Sequence, residues 1–137
     1  MTRTAPQPVA RVAGAVLVAV GVLGFVPDVT THLRDLSFAG ENSGAKLLGL
    51  FRVSVQANLL YLLAGAVGLA LARTERGARQ FLVGGGTVFL VFWLLGVVKA
   101  GGWIPLDVAG NWLHLGLGVG LIGAGYLTAR PTATAPV

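Results

Sequence analysis

Four long apolar runs constrain this chain more than any other feature. They are VARVAGAVLVAVGVLGFV before Pro27, VSVQANLLYLLAGAVGLALA before Arg73, FLVGGGTVFLVFWLLGVV before Lys99 and NWLHLGLGVGLIGAGYLTA before Arg130. Each is near the roughly 20 residues that an α-helix needs to cross about 30 Å of hydrocarbon. They are continuous rather than alternating, which excludes a membrane β-barrel. Composition agrees: 55% of the 137 residues are hydrophobic, only 11% are charged, and the mean hydropathy is +0.79. A soluble domain carries about a quarter charged residues. The 21 glycines are also better tolerated in membrane helices than in soluble ones. The expected fold is all-α, an integral membrane four-helix bundle.

The expected organisation is a disordered tail over 1–8, a four-helix transmembrane domain over 9–130, and a second tail over 131–137, both tails being rich in Pro, Thr and Ala. Arg11 snorkels to the interface, so the first helix begins near Pro8. That run has the basic lead of a signal peptide, but it ends in GFVPD without a small-x-small cleavage site, and a retained helix is the preferred reading. With four spans, Arg3, Arg11, Arg73, Arg76, Arg79 and Arg130 all fall on one side. Arg34, Lys46, Arg52 and Lys99 fall on the other, partly offset by Asp28, Asp35, Glu41 and Asp107. The positive-inside rule places both termini in the cytoplasm, with the chain in a bacterial cytoplasmic membrane. The net charge of +5 therefore reflects topology and not nucleic acid.

The longest connection runs from Pro27 to Arg52. Asn42 or Ser43 is a candidate N-cap for a helix starting near Ala45, which would make AKLLGLFR an outward extension of the second span. THLRDLSF is a candidate interfacial helix. The segment RTERGARQ is expected to be the inner loop.

Two of the runs resemble each other. NLLYLLAGAVGL and NWLHLGLGVGLI align without a gap, matching Asn58 to Asn111, Tyr61 to His114 and Gly65 to Gly118. Two readings stand: a duplicated helical hairpin, or a chance match of glycine-rich segments. Asn58, Tyr61, Gly65 and Gly68 share a helix face, as do Asn111, His114, Gly118 and Gly125. Lipid cannot hydrogen-bond an amide or imidazole, so these groups should face protein, with the glycines admitting a neighbouring backbone. Either they form a packing seam locked by interhelical hydrogen bonds, or Asn58, Tyr61, Asp107, Asn111 and His114 border a small polar pocket near the outer leaflet.

Other candidates are weaker. Lys99 and Asp107 flank GGWIPLDVAG and either pair or are separately solvated. Trp103 and Trp112 fit an outer aromatic belt and Tyr126 an inner one, while Trp93 packs. The triple glycine of VGGGTV lacks the lysine of a phosphate loop and suits close packing or a helix distortion. No catalytic grouping, metal site or cofactor is expected. Cysteine is absent, His114 is the only histidine within an apolar run, and a metal needs three or four ligands. Carboxylates occur only at boundaries, which argues against a proton pump.

GVLGFVP, LLGLFRVSVQANLLYLLAG and NWLHLGLGV together resemble a bacterial four-helix membrane family, domain of unknown function 4383. The resemblance covers most of the chain, with Asn58, Trp112 and His114 matching. Its pattern has histidine where this chain has Ala57 and Tyr61, and often aspartate where it has Gly110. Those departures weaken any metal or catalytic role. The resemblance implies the four-helix fold and no activity. Three functions follow as alternatives. The first is a non-enzymatic structural or accessory subunit in contact with membrane lipids and with another membrane protein or its own copies. The second is an oxidoreductase-type subunit with a quinone or lipid headgroup pocket. The third is a small oligomeric transporter or channel.

Overall fold

The computed structural model describes residues 5–38, 43–98 and 107–128. Residues 1–4 and 131–137 of the two expected tails, Lys99 and Trp103 lie outside these residues, while residues 6–8, expected in the first tail, belong to a helix. Four helices dominate: α1 (Pro6–Leu23), α2 (Val55–Leu71), α3 (Glu75–Val97) and α4 (Val108–Leu127). α1, α3 and α4 are long and apolar enough to cross a membrane, and α2 is a shorter apolar helix of 17 residues.

Local chemistry sets the helix starts. Pro6 opens α1, where its missing N–H is no loss. Side chains cap the other three. Ser54 accepts from the Ala57 N–H at 3.1 Å, Thr74 from Gly77 at 3.0 Å and Asp107 from Gly110 at 2.8 Å. These caps correct three expected boundaries. α2 starts at Val55, so neither Asn42 nor Ser43 opens it. α3 starts at Glu75, which puts Arg76 and Arg79 on the helix and leaves only 72–74 as the turn. α4 starts before Asn111, which falls in its first turn. α3 runs without a break through Gly84, Gly85 and Gly86.

The long connection is not helical. Thr30–Thr31 (β1), Lys46–Leu47 (β2) and Phe51–Arg52 (β3) form an antiparallel sheet in the order β1-β2-β3, with Thr31 opposite Lys46 and Leu47 opposite Phe51. AKLLGLFR is therefore a hairpin, turned by Leu48 and Gly49 at positive φ (54° and 70°). THLRDLSF is not an interfacial helix: Thr31 belongs to β1, and Leu33–Asp35 form a single 3₁₀ turn. The sheet has its own small core of Ala45, Leu47 and Val53 against Val20, Val29, Leu36 and Phe51. Its hydroxyl groups are satisfied by nearby backbone. Ser43 Oγ donates to the Val53 carbonyl at 2.5 Å and accepts from the Ser37 N–H at 3.2 Å. Thr30 donates to the Leu23 carbonyl at the end of α1, 2.8 Å away.

The helices pack as two hairpins, α1 with α2 and α3 with α4. Each is built on facing glycines. A Cβ on Gly65 would lie 2.6 Å from the Gly14 carbonyl oxygen, and one on Gly86 would lie 2.8 Å from that of Gly118. Real Cβ atoms do not come so close to backbone, so only glycine fits. The hairpins match position by position. Gly14 and Gly65 correspond to Gly86 and Gly118. Gly24, beside the Asn58 amide, corresponds to Gly96, beside the Asn111 amide. The caps Ser54 and Asp107 occupy equivalent places. This repetition of contacts, beyond that of letters, favours a duplicated unit over a chance match.

Between the hairpins lies the main core, Ala10, Leu17, Ala72, Ala78, Phe81, Leu82, Phe89 and Leu121. Asp107 adds a polar tie: its second carboxylate oxygen accepts from the Arg52 N–H of β3 at 3.0 Å. One residue thus caps α4 and holds the sheet of the first hairpin to the second.

Two outcomes are expected in thermal melts in detergent. Gly65→Leu and Gly86→Leu should each destabilise by at least the about 1–3 kcal/mol of an overpacked core. Gly116→Leu and Gly120→Leu, where an added Cβ meets nothing within 4 Å, should stay within about 0.5 kcal/mol of wild type. Asp107→Ala should cost more than the about 0.5–2 kcal/mol of a lost cap, and more than Ser54→Ala, because it also releases β3. Equal melting temperatures for the two cap variants would refute the tie.

Candidate functional site

The polar residues of α2 and α4 do not form one stripe each. Each set divides between two neighbours. On α2, Asn58 and Gly65 face α1, where they meet Gly24 and Gly14, while Gly68 meets the Phe81 ring of α3. On α4, Asn111 and Gly118 face Gly96 and Gly86 of α3, and Gly125 faces Val83 of α3. Tyr61 and His114 turn instead toward each other. Tyr61 Oη lies 3.0 Å from His114 Nε2, across the junction between the hairpins. These two occupy equivalent positions of the repeat, so the pair sits where the two halves meet.

The expected seam of interhelical hydrogen bonds reduces to this one bond. Asn58 is completely buried, yet neither end of its amide has a partner among the described residues. Asn111 Oδ1 is buried and equally unpartnered. Both amides work by shape, filling the space that Gly24 and Gly96 leave near the C-terminal ends of α1 and α3. Asp107 is engaged in its cap and its bond to β3, which separates it from the Tyr61–His114 pair. The five polar candidates thus resolve into one cross-hairpin pair, two docked amides and a tie.

Aromatic rings enclose the pair. Phe89 stacks against Tyr61 with centroids 6.1 Å apart, and Phe89 and Phe92 each lie 5.7 Å from the His114 ring. His114 is only 7% exposed, and its Nδ1 has no partner among the described residues.

The pair lies on the wall of a groove of about 410 Å³, within the range of small-molecule sites. The groove runs between α2 and α3. At one end the sheet roofs it with Leu47, Phe51 and Val53, beside Gln56, Tyr61 and His114. At the other it reaches Gln80. Its floor is the α3 face at Gly84 and Gly85. A Cβ on Gly84 would touch nothing within 4 Å, and one on Gly85 only the Phe81 ring, at 3.6 Å. Of the three successive glycines, Gly86 packs helices and the other two open space. The lips carry Leu60, Leu63, Val67 and Val88, all exposed. The groove therefore opens sideways, toward the surface that lipid would cover, rather than through the bundle.

Sequence reasoning missed this groove, along with Gln56, Phe81, Phe89 and Phe92. The local signal was the glycine run at Gly84 and Gly85, read as close packing or a helix distortion. A second, more polar pocket lies at the opposite end from the sheet, at Glu75, Arg76, Arg79, Gln80 and Tyr126. There the Arg79 guanidinium sits 5.9 Å from the Tyr126 ring centroid. Trp112 and Tyr126 are exposed near opposite ends of α4. Among the described residues, no group of three or more His, Cys, Asp or Glu could hold a metal ion.

A family model described as Domain of unknown function (DUF4383) matches residues 7–127. No curated protein and no solved structure matches the chain. The family match runs from the first turn of α1 to the last residue of α4, and the chain belongs to the DUF4383 family.

Proposed function

We propose that this chain is a non-enzymatic accessory protein of the bacterial cytoplasmic membrane that holds one amphipathic lipid between its two hairpins. The supporting observation is the groove: apolar along its length, polar at the Tyr61–His114 end, and open on a side that would face lipid. A tail lies over Gly84 and Gly85, where absent side chains leave a smooth backbone surface, and a polar head reaches Tyr61, His114 and Gln56. Tyr61 and His114 form a hydroxyl–imidazole couple, but no third group among the described residues orients the imidazole through Nδ1, which favours holding over nucleophilic chemistry. The sideways opening disfavours a channel through the single bundle.

Orientation follows from charge. Arg73, Arg76 and Arg79 gather at the α2–α3 turn, which belongs in the cytoplasm with both termini. The sheet and the head end of the groove then lie at the outer leaflet. A cysteine replacing exposed Leu48 should react with an impermeant maleimide on spheroplasts, and one replacing Glu75 should not. The reverse pattern would invert the topology.

Gly84→Leu tests the groove itself. Its Cβ meets nothing within 4 Å and the rest of its side chain enters open groove, so the fold should survive. Native mass spectrometry of gently extracted protein should find an amphiphile on wild type and at least tenfold less on Gly84→Leu. Equal occupancy in the two proteins would sink the proposal.

A further inference from the structure

We infer that a second site, at the opposite end of the bundle from the sheet, holds the phosphate of an anionic phospholipid. The site is the hollow of about 720 Å³ between Arg76, Arg79 and Gln80 of α3 and Tyr126 of α4. It goes beyond the groove reading and does not rest on it. In the orientation proposed above, its lipid belongs to the inner leaflet.

Spacing along α3 carries the argument. Arg76, Arg79, Gln80, Val83 and Gly84 all line the hollow, and their intervals place them on one helix face. Read from the α2–α3 turn toward the middle of the helix, that face is charged, then polar, then apolar. A phospholipid has the same order, from phosphate through the glycerol esters to the acyl chain. A small soluble anion would use only the charged part. Val83 offers apolar surface, and at Gly84 an added Cβ would meet nothing within 4 Å, so a chain has room to lie against the backbone.

Charge selects the head. Two guanidiniums against the one carboxylate of Glu75 leave the rim of the hollow net positive. The guanidinium fork matches phosphate oxygens in pairs, which a point charge does not. Arg79 is held in place by the Tyr126 ring, 5.9 Å from its centroid, a cation–π distance. A guanidinium carries several N–H donors, and one ring face cannot occupy them all, so the fork keeps donors for an anion. Position matters as well as sign. Arg73 is exposed at the same turn, yet it lines neither the hollow nor the groove. It therefore supplies an internal control of equal charge.

The probes are dioctanoylphosphatidylglycerol, dioctanoylphosphatidylcholine and inorganic phosphate, titrated in detergent against wild type, Arg73→Gln, Arg76→Gln, Arg79→Gln and Arg79→Lys. Binding is read from the shift in melting temperature. The phosphatidylglycerol should bind wild type at least roughly tenfold more tightly than the phosphatidylcholine, as expected of two arginines near a membrane surface, and inorganic phosphate at the same concentrations should give no shift. Arg76→Gln and Arg79→Gln should each weaken phosphatidylglycerol about fivefold, the worth of one arginine near a membrane surface, and leave phosphatidylcholine unchanged. Arg79→Lys keeps the charge and loses the fork, so it should fall between, and it reads the site should the neutral variant fail to fold. Arg73→Gln should match wild type. Equal binding of the two lipids would overturn the inference. A loss in Arg73→Gln as large as in Arg79→Gln would do the same, because diffuse charge and not the hollow would then set the preference. A shift from inorganic phosphate equal to that from phosphatidylglycerol would make the ligand a free anion and end the lipid assignment. None of these arginines lines the groove, so failure here leaves the groove reading standing.

Discussion

The close approach of backbone to backbone at Gly14–Gly65 and Gly86–Gly118 is the constraint on which the rest depends. Helices surrounded by lipid gain little from hiding apolar side chains, because the tails outside are as apolar as the core inside. Association has to come from contact area and from groups that lipid cannot satisfy. Removing the Cβ at four positions brings each pair of helices together, and dispersion over the whole length of the hairpin follows. The same closeness uses up the facing surfaces within each hairpin. The hairpins then meet through larger side chains, Leu17, Phe81, Leu82, Phe89 and Leu121. Large residues in the middle with glycines beside them leave a gap on one side, and that gap is the groove.

Polar groups are arranged by the same economy of space. Tyr61 and His114 hydrogen-bond across the junction, where each needs a partner that lipid does not provide. Asn58 is buried and Asn111 half-buried by fit, each amide occupying the room of an absent side chain. Asp107 sits at the start of α4 and takes two backbone N–H groups at once, from α4 and from β3. This tie fixes the sheet over the head end of the groove, so the roof and the Tyr61–His114 pair move together.

Much of the scaffold was legible in the letters. Apolar length marked four helices, and spacing picked out Gly65, Gly118, Asn58 and His114 as inward-facing. AKLLGLFR was not legible. Its leucines suit a helix, and a hairpin there requires Leu48 at positive φ, which a leucine seldom adopts. Neighbouring groups decide the matter: Leu48 N–H donates to Val29 at 2.8 Å and Val53 N–H to Ala45 at 3.0 Å. Asn42 and Ser43 looked like caps because the cap signal is a residue type. In fact the Ser43 hydroxyl is committed to the sheet, and Ser54 does the capping. The groove was hidden for a different reason: it is a gap between elements, defined by how far α2 stands from α3. No local pattern encodes that distance.

The repeat has a consequence for what such a junction can hold. Two identical hairpins meeting about an axis would bring the same side chain to the centre from both sides, tyrosine on tyrosine or histidine on histidine. Joining both halves in one polypeptide lifts that requirement. Position 61 and position 114 are free to differ, and a phenol faces an imidazole, an unlike couple with a direction. Direction at the centre of an otherwise repeated frame makes the two flanks of the bundle chemically distinct, and the groove lies along the α2–α3 flank.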